Sequence, residues 1–243
     1  MHRLSWTSTH LKDWTIDSPA SNGSLSNAPV FESFGGDGSA ETGCVETGPF
    51  TGNESLNIGP LENMSKNTRC LTRAFDDTTF NLSSSWDDVY PPAMSAKSHV
   101  QFQAFVDGLD FISDEDRIDS NALVNAHTLG HTVVGGDFMD VYASPNDPIF
   151  WAHHTLLDYM WTKWQKADSL RLSDIGGPRT TQGSGPTSAD QVENTTLDTP
   201  VWMGFLNDDV AIKAVMDTMN GDGQGVLCYE YEDSPTLAGR SEF

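Results

Sequence analysis

His127-Thr128-Leu129-Gly130-His131-Thr132-Val133-Val134-Gly135-Gly136 and, a few residues on, Ser144-Pro145-Asn146-Asp147-Pro148-Ile149-Phe150-Trp151-Ala152-His153-His154 set the fold of this chain. His127 and His131 stand four apart. On a helix that spacing places both side chains on one face, with Cβ atoms ~5–6 Å apart, so both imidazoles reach one ion. Leu123 and Val124 share their periodicity, and Ser120 or Asn121 is a suitable cap, which predicts a helix over 120–133 ended by Gly135-Gly136. Asp147-Pro148, an acidic cap followed by proline in the first turn, predicts a second helix from there through Gln165. A third imidazole from that helix completes a trigonal set, since bundle cores build metal sites from side chains on facing helices.

Outward from this pair, Ala93 to Leu109 carries Phe102, Phe105, Val106 and Leu109 at the spacing of one apolar face and predicts a further helix. Residues 1–90 are punctuated by turns such as Asp17-Ser18-Pro19, Gly35-Gly36-Asp37-Gly38 and Gly59-Pro60, with no sustained helical or alternating pattern. Residues 171–200 are polar and glycine-rich, as a long surface loop would be. A short helix is expected over Asp208–Met219, and a closing strand over Gly225–Tyr231, where Val226, Cys228 and Tyr231 would share a face. The expected fold is mainly α: a partial helical bundle with long irregular loops and little β. One domain spans 1–243, divided into a loop-rich segment 1–90, a helical core 91–170 and a C-terminal loop, short helix and strand over 171–243.

Thirteen basic against thirty-five acidic residues give a formal charge of -22, which repels phosphate backbones and anionic headgroups. Nucleic acid and membrane surfaces are therefore excluded as expected partners. No apolar run approaches the ~20 residues that span a bilayer, and Met1–Trp14 lacks the apolar core of a signal peptide. Five Asn-x-Ser/Thr sequons, at Asn22, Asn53, Asn63, Asn81 and Asn194, nevertheless point to a secretory parent and candidate glycosylation. Of three cysteines, Cys44 and Cys70 lie in loop-rich sequence where a disulfide would help most, leaving Cys228 over; three buried thiols are the other reading.

The zinc-protease version of the two-histidine spacing needs Glu directly after the first His as general base, and here that position is Thr128. An all-imidazole set without a neighbouring acid suits copper. The surroundings sharpen the assignment. Asp147, Pro148, Phe150, Trp151, His154 and Asp158 form an Asp-Pro-x-Phe-aromatic-x-x-His-x3-Asp pattern that, following His127 and His131, resembles the second copper-binding region (CuB) of the tyrosinase and catechol oxidase family, the type-3 copper proteins. Asp13-Trp14-Thr15-Ile16-Asp17, Phe34-Gly35-Gly36-Asp37-Gly38 and Cys70-Leu71-Thr72-Arg73 are similar to loops of its secreted fungal members, so the likeness runs from about residue 11 onward.

That resemblance implies that His127, His131 and His154 bind copper, with His153 packed or hydrogen-bonded beside them. It further implies that Phe150 packs on a ligand ring, that Asp158 fixes helix or imidazole geometry, and that Thr128 bears on the choice between monophenol and diphenol chemistry. Trp161 and Trp164 read as core. Family members oxidise phenols and ortho-diphenols with dioxygen, using two copper ions together. The first copper region, with its Phe-x-x-aromatic-His-Arg context, has no counterpart here, and His2, His10 and His99 read as surface or loop histidines. The expectation is one copper ion in a truncated phenol oxidase that is not competent alone, with apolar faces of the 93–109, 120–133 and 148–165 helices left open to association. The alternatives are a non-enzymatic secreted glycoprotein on the same scaffold, and a mononuclear zinc or copper protein.

Overall fold

The helix that carries the His153-His154 doublet is the longest element, and the rest of the chain is arranged around it. The computed structural model describes residues 13–52, 58–63, 65–108, 117–118, 125–179 and 193–231. Within them run α1 (Pro29–Phe34), α2 (Asp77–Ser83), α3 (Trp86–Met94), α4 (His99–Asp107), α5 (Ala126–Val134) and α6 (Ile149–Lys166). A single antiparallel pair, β1 (Pro200–Val201) with β2 (Val210–Ala211), is the only named sheet among the described residues. The fold is mainly α, as the sequence predicts. No described helix is long and apolar enough to cross a membrane.

α6 forms because Ile149, Ala152, His153, Leu156, Tyr159, Met160 and Trp164 recur at helical spacing and bury one stripe, while Lys163 and Lys166 sit in its last turn where the helix dipole favours cations. α3 packs on α4 and α6, and α5 packs on α4 and α6, so the four close a ring of neighbours. Trp14, Phe31, Phe80, Phe102, Leu129 and Phe138 join them in one continuous core. A smaller core of Val45 and Leu71, with Phe50 against it, lies beside the Cys44–Cys70 disulfide, while Cys228 is free and exposed.

Helix boundaries differ from the sequence reading at several points. Ala93 belongs to α3, and the expected 93–109 helix begins only at His99, where the Ser98 hydroxyl accepts from the Gln101 N–H; Leu109 lies outside the described residues. α2 and α3 fall in a region read as loop. Each is short and opened by a side-chain cap, Asp76 and Ser85 respectively, and α3 carries Pro91-Pro92 inside it. Its apolar face (Val89, Tyr90, Ala93) is interrupted by those prolines, and a segment boundary at 90/91 cuts through it. α5 is described from Ala126 with Asn125 at its cap; Ser120 and Asn121 lie outside the described residues.

The C-terminal expectations are corrected. Asp208–Met219 holds β2 and a one-turn 3-10 helix, Ile212–Val215, instead of an α-helix. Gly225–Tyr231 is not a strand: Val226 and Tyr229 each donate one backbone bond, to Ala214 and Thr218, and Val226 and Cys228 face solvent instead of sharing a buried face with Tyr231.

The loops between α1 and α2 are fastened from within. Arg73 is completely buried and donates through Nε and Nη2 to both carboxylate oxygens of Asp147 at 2.8 Å, and to the carbonyls of Phe34, Gly35 and Gly36. Asp147 in turn accepts from the Ile149 N–H, fixing the first turn of α6. Removing one partner of a buried ion pair strands the other. Arg73→Met is therefore expected to lower unfolding free energy by ~3–5 kcal/mol, read from denaturant melts; a loss below ~1 kcal/mol would show that the pair is dispensable.

Candidate metal centre

α5 and α6 bring His127, His131, His153 and His154 into one cluster, with ring centroids of His127 and His154 5.1 Å apart and of His131 and His154 5.6 Å apart. The outer nitrogens decide what the inner ones can do. His127 Nδ1 donates to Asp107 Oδ1 at 2.8 Å, and His131 Nδ1 donates to the Phe138 carbonyl at 2.6 Å. Each neutral ring thus keeps its proton on Nδ1 and presents a lone pair at Nε2. Those two Nε2 atoms face each other at 3.1 Å. His154 Nε2 is buried with no hydrogen-bond partner. Facing lone pairs and an orphaned buried nitrogen are costly without a partner, and a cation is a partner that imidazole lone pairs accept.

His153 belongs to the same cluster, its ligand atom lying within 4.8 Å of those of His127 and His131. Proximity does not make it a donor to metal, because both its nitrogens are committed. Trp14 Nε1 donates to His153 Nδ1 at 3.0 Å, and His153 Nε2 donates to the His127 carbonyl at 3.0 Å. His154, outside that three-residue group, keeps a buried Nε2 with no hydrogen-bond partner.

Local sequence explains each placement. Gly135 (φ +62) and Gly136 (φ +54) turn the chain sharply after α5, where a Cβ would strike the Ala74 and Thr72 carbonyls. The following 3-10 turn returns Phe138 so that its carbonyl meets His131 and its ring stacks on that imidazole, centroids 4.4 Å apart. Asn125 Nδ2 donates to the Phe105 carbonyl, docking the start of α5 on the end of α4 and setting Asp107 beside His127. Gly130 leaves room for His153, whose ring atoms would stand 2.5–2.7 Å from a Cβ there.

Phe150 lies on the His154 ring, centroids 4.1 Å apart. Asp158 Oδ2 accepts from the hydroxyls of Tyr229 and Tyr231, so it anchors the C-terminal segment to α6. Trp164 is fully buried, but Trp161 lines a cavity with His99, His127 and His154 and is not solely core. His99 Nδ1 is turned away towards the Gly176 carbonyl at 3.2 Å. Thr128 lines a second, larger cavity of about 460 Å³, which opens over His127, His131 and His154. Asp107, Phe138, Trp14 and Gly130 went unassigned in the sequence. His2, His10 and Asn53 lie outside the described residues.

The family profile described as the common central domain of tyrosinase matches residues 5–167. This chain belongs to the tyrosinase family. A tyrosinase-like protein of Diaporthe leptostromiformis, phomQ1', is 31% identical over 90% of this chain and 57% of its own length. The N-acetyl-6-hydroxytryptophan oxidase ivoB of Emericella nidulans is 32% identical over 77% of this chain and 49% of its own. A variant of the polyphenol oxidase of Thermothelomyces thermophila superposes with a TM-score of 0.68 at 25% identity, covering 92% of this chain and 65% of that one. The chain therefore spans about half the length of these fungal curated relatives. The tyrosinase fold accounts for the ring of α3, α4, α5 and α6, and places the imidazole cluster of α5 and α6 inside a family of oxidases.

Burial holds His131 below the ordinary imidazole range and His153 well below it, and pushes His154 down to about 4, with His127 and His131 adding to the last. An unfolded histidine takes up a proton near pH ~6.5, whereas these stay neutral in the fold until lower pH. The metal-free chain is thus expected to lose stability as pH falls from about 6.5 to about 5, above the range where carboxylates titrate. Denaturant midpoints that stay flat across that window would contradict it. Gly130→Ala should lower the thermal midpoint by the equivalent of ~1–3 kcal/mol, although alanine is the better helix former by about 1 kcal/mol; a stabilised variant would mean that His153 yields freely.

Proposed function

We propose that His127, His131 and His154 hold a single copper ion, and that the chain contributes this site to an oxidoreductase acting on phenols and ortho-diphenols with dioxygen. The observation that carries the reading is the buried, unpartnered Nε2 of His154 beside the facing Nε2 atoms of His127 and His131. An all-imidazole donor set fits copper, and the triad lacks the adjacent Glu of a hydrolytic zinc site. When bound, copper supplies one-electron redox chemistry and a position for oxygen.

The chain's own groups prepare the site. Asp107 and the Phe138 carbonyl hold the Nδ1 protons, so that both α5 imidazoles direct Nε2 inward. Phe138 and Phe150 cover the rings of His131 and His154 and keep water from their faces. The larger cavity is of a size that takes a small aromatic molecule, and Met139, Val141 and Tyr142 form an apolar rim for it.

Oxidation of an ortho-diphenol to its quinone removes two electrons and two protons together, and one imidazole triad provides for one copper. Among the described residues the remaining histidine is His99, engaged by Gly176. We therefore expect this chain by itself to bind copper without sustained turnover, and a second triad to be needed for the family chemistry. Asn22, Asn63, Asn81 and Asn194 are exposed, which supports a glycosylated, secreted parent.

Elemental analysis after copper reconstitution, paired with oxygen uptake on catechol, tests the proposal. About one copper per chain is expected, lost in His154→Ala and retained in His99→Ala, with no sustained oxygen uptake. Two coppers per chain, or continuous catechol turnover, would overturn the single-site reading. Copper retained by His154→Ala would remove His154 from the ligand set.

A further inference from the structure

We infer that the larger cavity selects phenols by charge, admitting those that carry an amine and disfavouring phenolic carboxylates. The inference deepens the proposed function and rests on it. Two carboxylates, Asp107 and Asp140, line this cavity, and among the described residues neither lysine nor arginine does. A third, Glu62, reaches its rim by accepting from the Tyr142 hydroxyl at 2.9 Å.

Two arginines of the adjoining loops are engaged by other carboxylates. Arg69 donates to both oxygens of Asp137 and to the carbonyls of Ile58 and Cys70, and Arg73 is sealed against Asp147. Asp140 keeps its charge: burial raises its carboxyl, but the backbone N–H groups of Leu61, Ala143 and Tyr142, with a smaller contribution from the charge of Arg69, outweigh this and hold it below the usual carboxylate range. Asp107 is shared with His127 at the inner wall, whereas Asp140 and Glu62 stand towards the mouth, around the exposed side chains of Met139, Val141 and Tyr142. A phenol entering ring-first puts its hydroxyl end near the imidazoles and its substituent among these acids. The charge of a bound metal acts on the hydroxyl end, which all such phenols share, so the substituent's charge is read by the rim. The chain's net charge of -22 adds to the same field on approach.

The test uses the full chain loaded with copper and three probes of matched ring: tyramine, 4-ethylphenol and 3-(4-hydroxyphenyl)propionate. Dissociation constants are measured by titration calorimetry at low and high salt, a readout independent of turnover. Tyramine is expected to bind about tenfold more tightly than the propionate at low salt, with 4-ethylphenol between them. The gap should shrink about threefold on adding salt and in Glu62→Gln. Asp140→Asn, which keeps a side-chain oxygen for the Tyr142 and Ala143 N–H groups, should narrow it as well. Equal affinities, or preference for the propionate, would overturn charge selection while leaving the phenol site intact. If none of the three binds to a copper-loaded chain, the phenol site itself falls, and this inference with it. A gap unchanged in both variants would overturn the assignment to Asp140 and Glu62.

Discussion

The buried ion pair between Arg73 and Asp147 is the constraint on which the rest of the molecule is built. A guanidinium withdrawn completely from water must have its donors met, and here they are met by Asp147 and by carbonyls of Phe34, Gly35 and Gly36. One side chain therefore locks three separate stretches of chain at the head of α6. The neighbouring pair of Arg69 and Asp137 works in parallel, since Asp137 also accepts from the backbone and hydroxyl of Thr72 and so fixes the turn that follows α5. The two α-helices that carry the imidazoles are thus positioned by charges held outside the site.

Within the cluster, hydrogen bonding assigns roles to four chemically identical side chains. His127 and His131 spend Nδ1 on acceptors, His153 spends both nitrogens on Trp14 and the His127 carbonyl, and His154 leaves one nitrogen unmet. His153 is best seen as the brace between α5 and α6, with Gly130 as the space it occupies. Adjacent residues in sequence have opposite functions because a helix turns them about a hundred degrees apart.

The sequence disclosed the parts of this arrangement that depend on local rules. α6 was legible from its Asp-Pro start and long apolar stripe, and the two α5 histidines from their spacing of four. α2 was hidden because it spans barely two turns, and α3 because Pro91-Pro92 breaks its stripe. Asp107 could not be linked to His127 by pattern, since they meet across 20 residues, nor Trp14 to His153 across 139. At the C-terminal end, the spacing of Val226 and Cys228 mimicked a strand, although Tyr231 is out of step with it, and Tyr229 and Tyr231 both send their hydroxyls to Asp158.

That last contact bears on the order in which the molecule can be completed. The histidines of the cluster have all been synthesised by residue 154, yet the two phenols that clasp α6 arrive 71 and 73 residues after Asp158. Asp158 lies four residues beyond His154 on the same helical face. On the ribosome the nascent chain therefore carries all four imidazoles of the cluster before the C-terminal clasp on α6 can form, and until then α6 is held by its head, through Asp147 and Arg73.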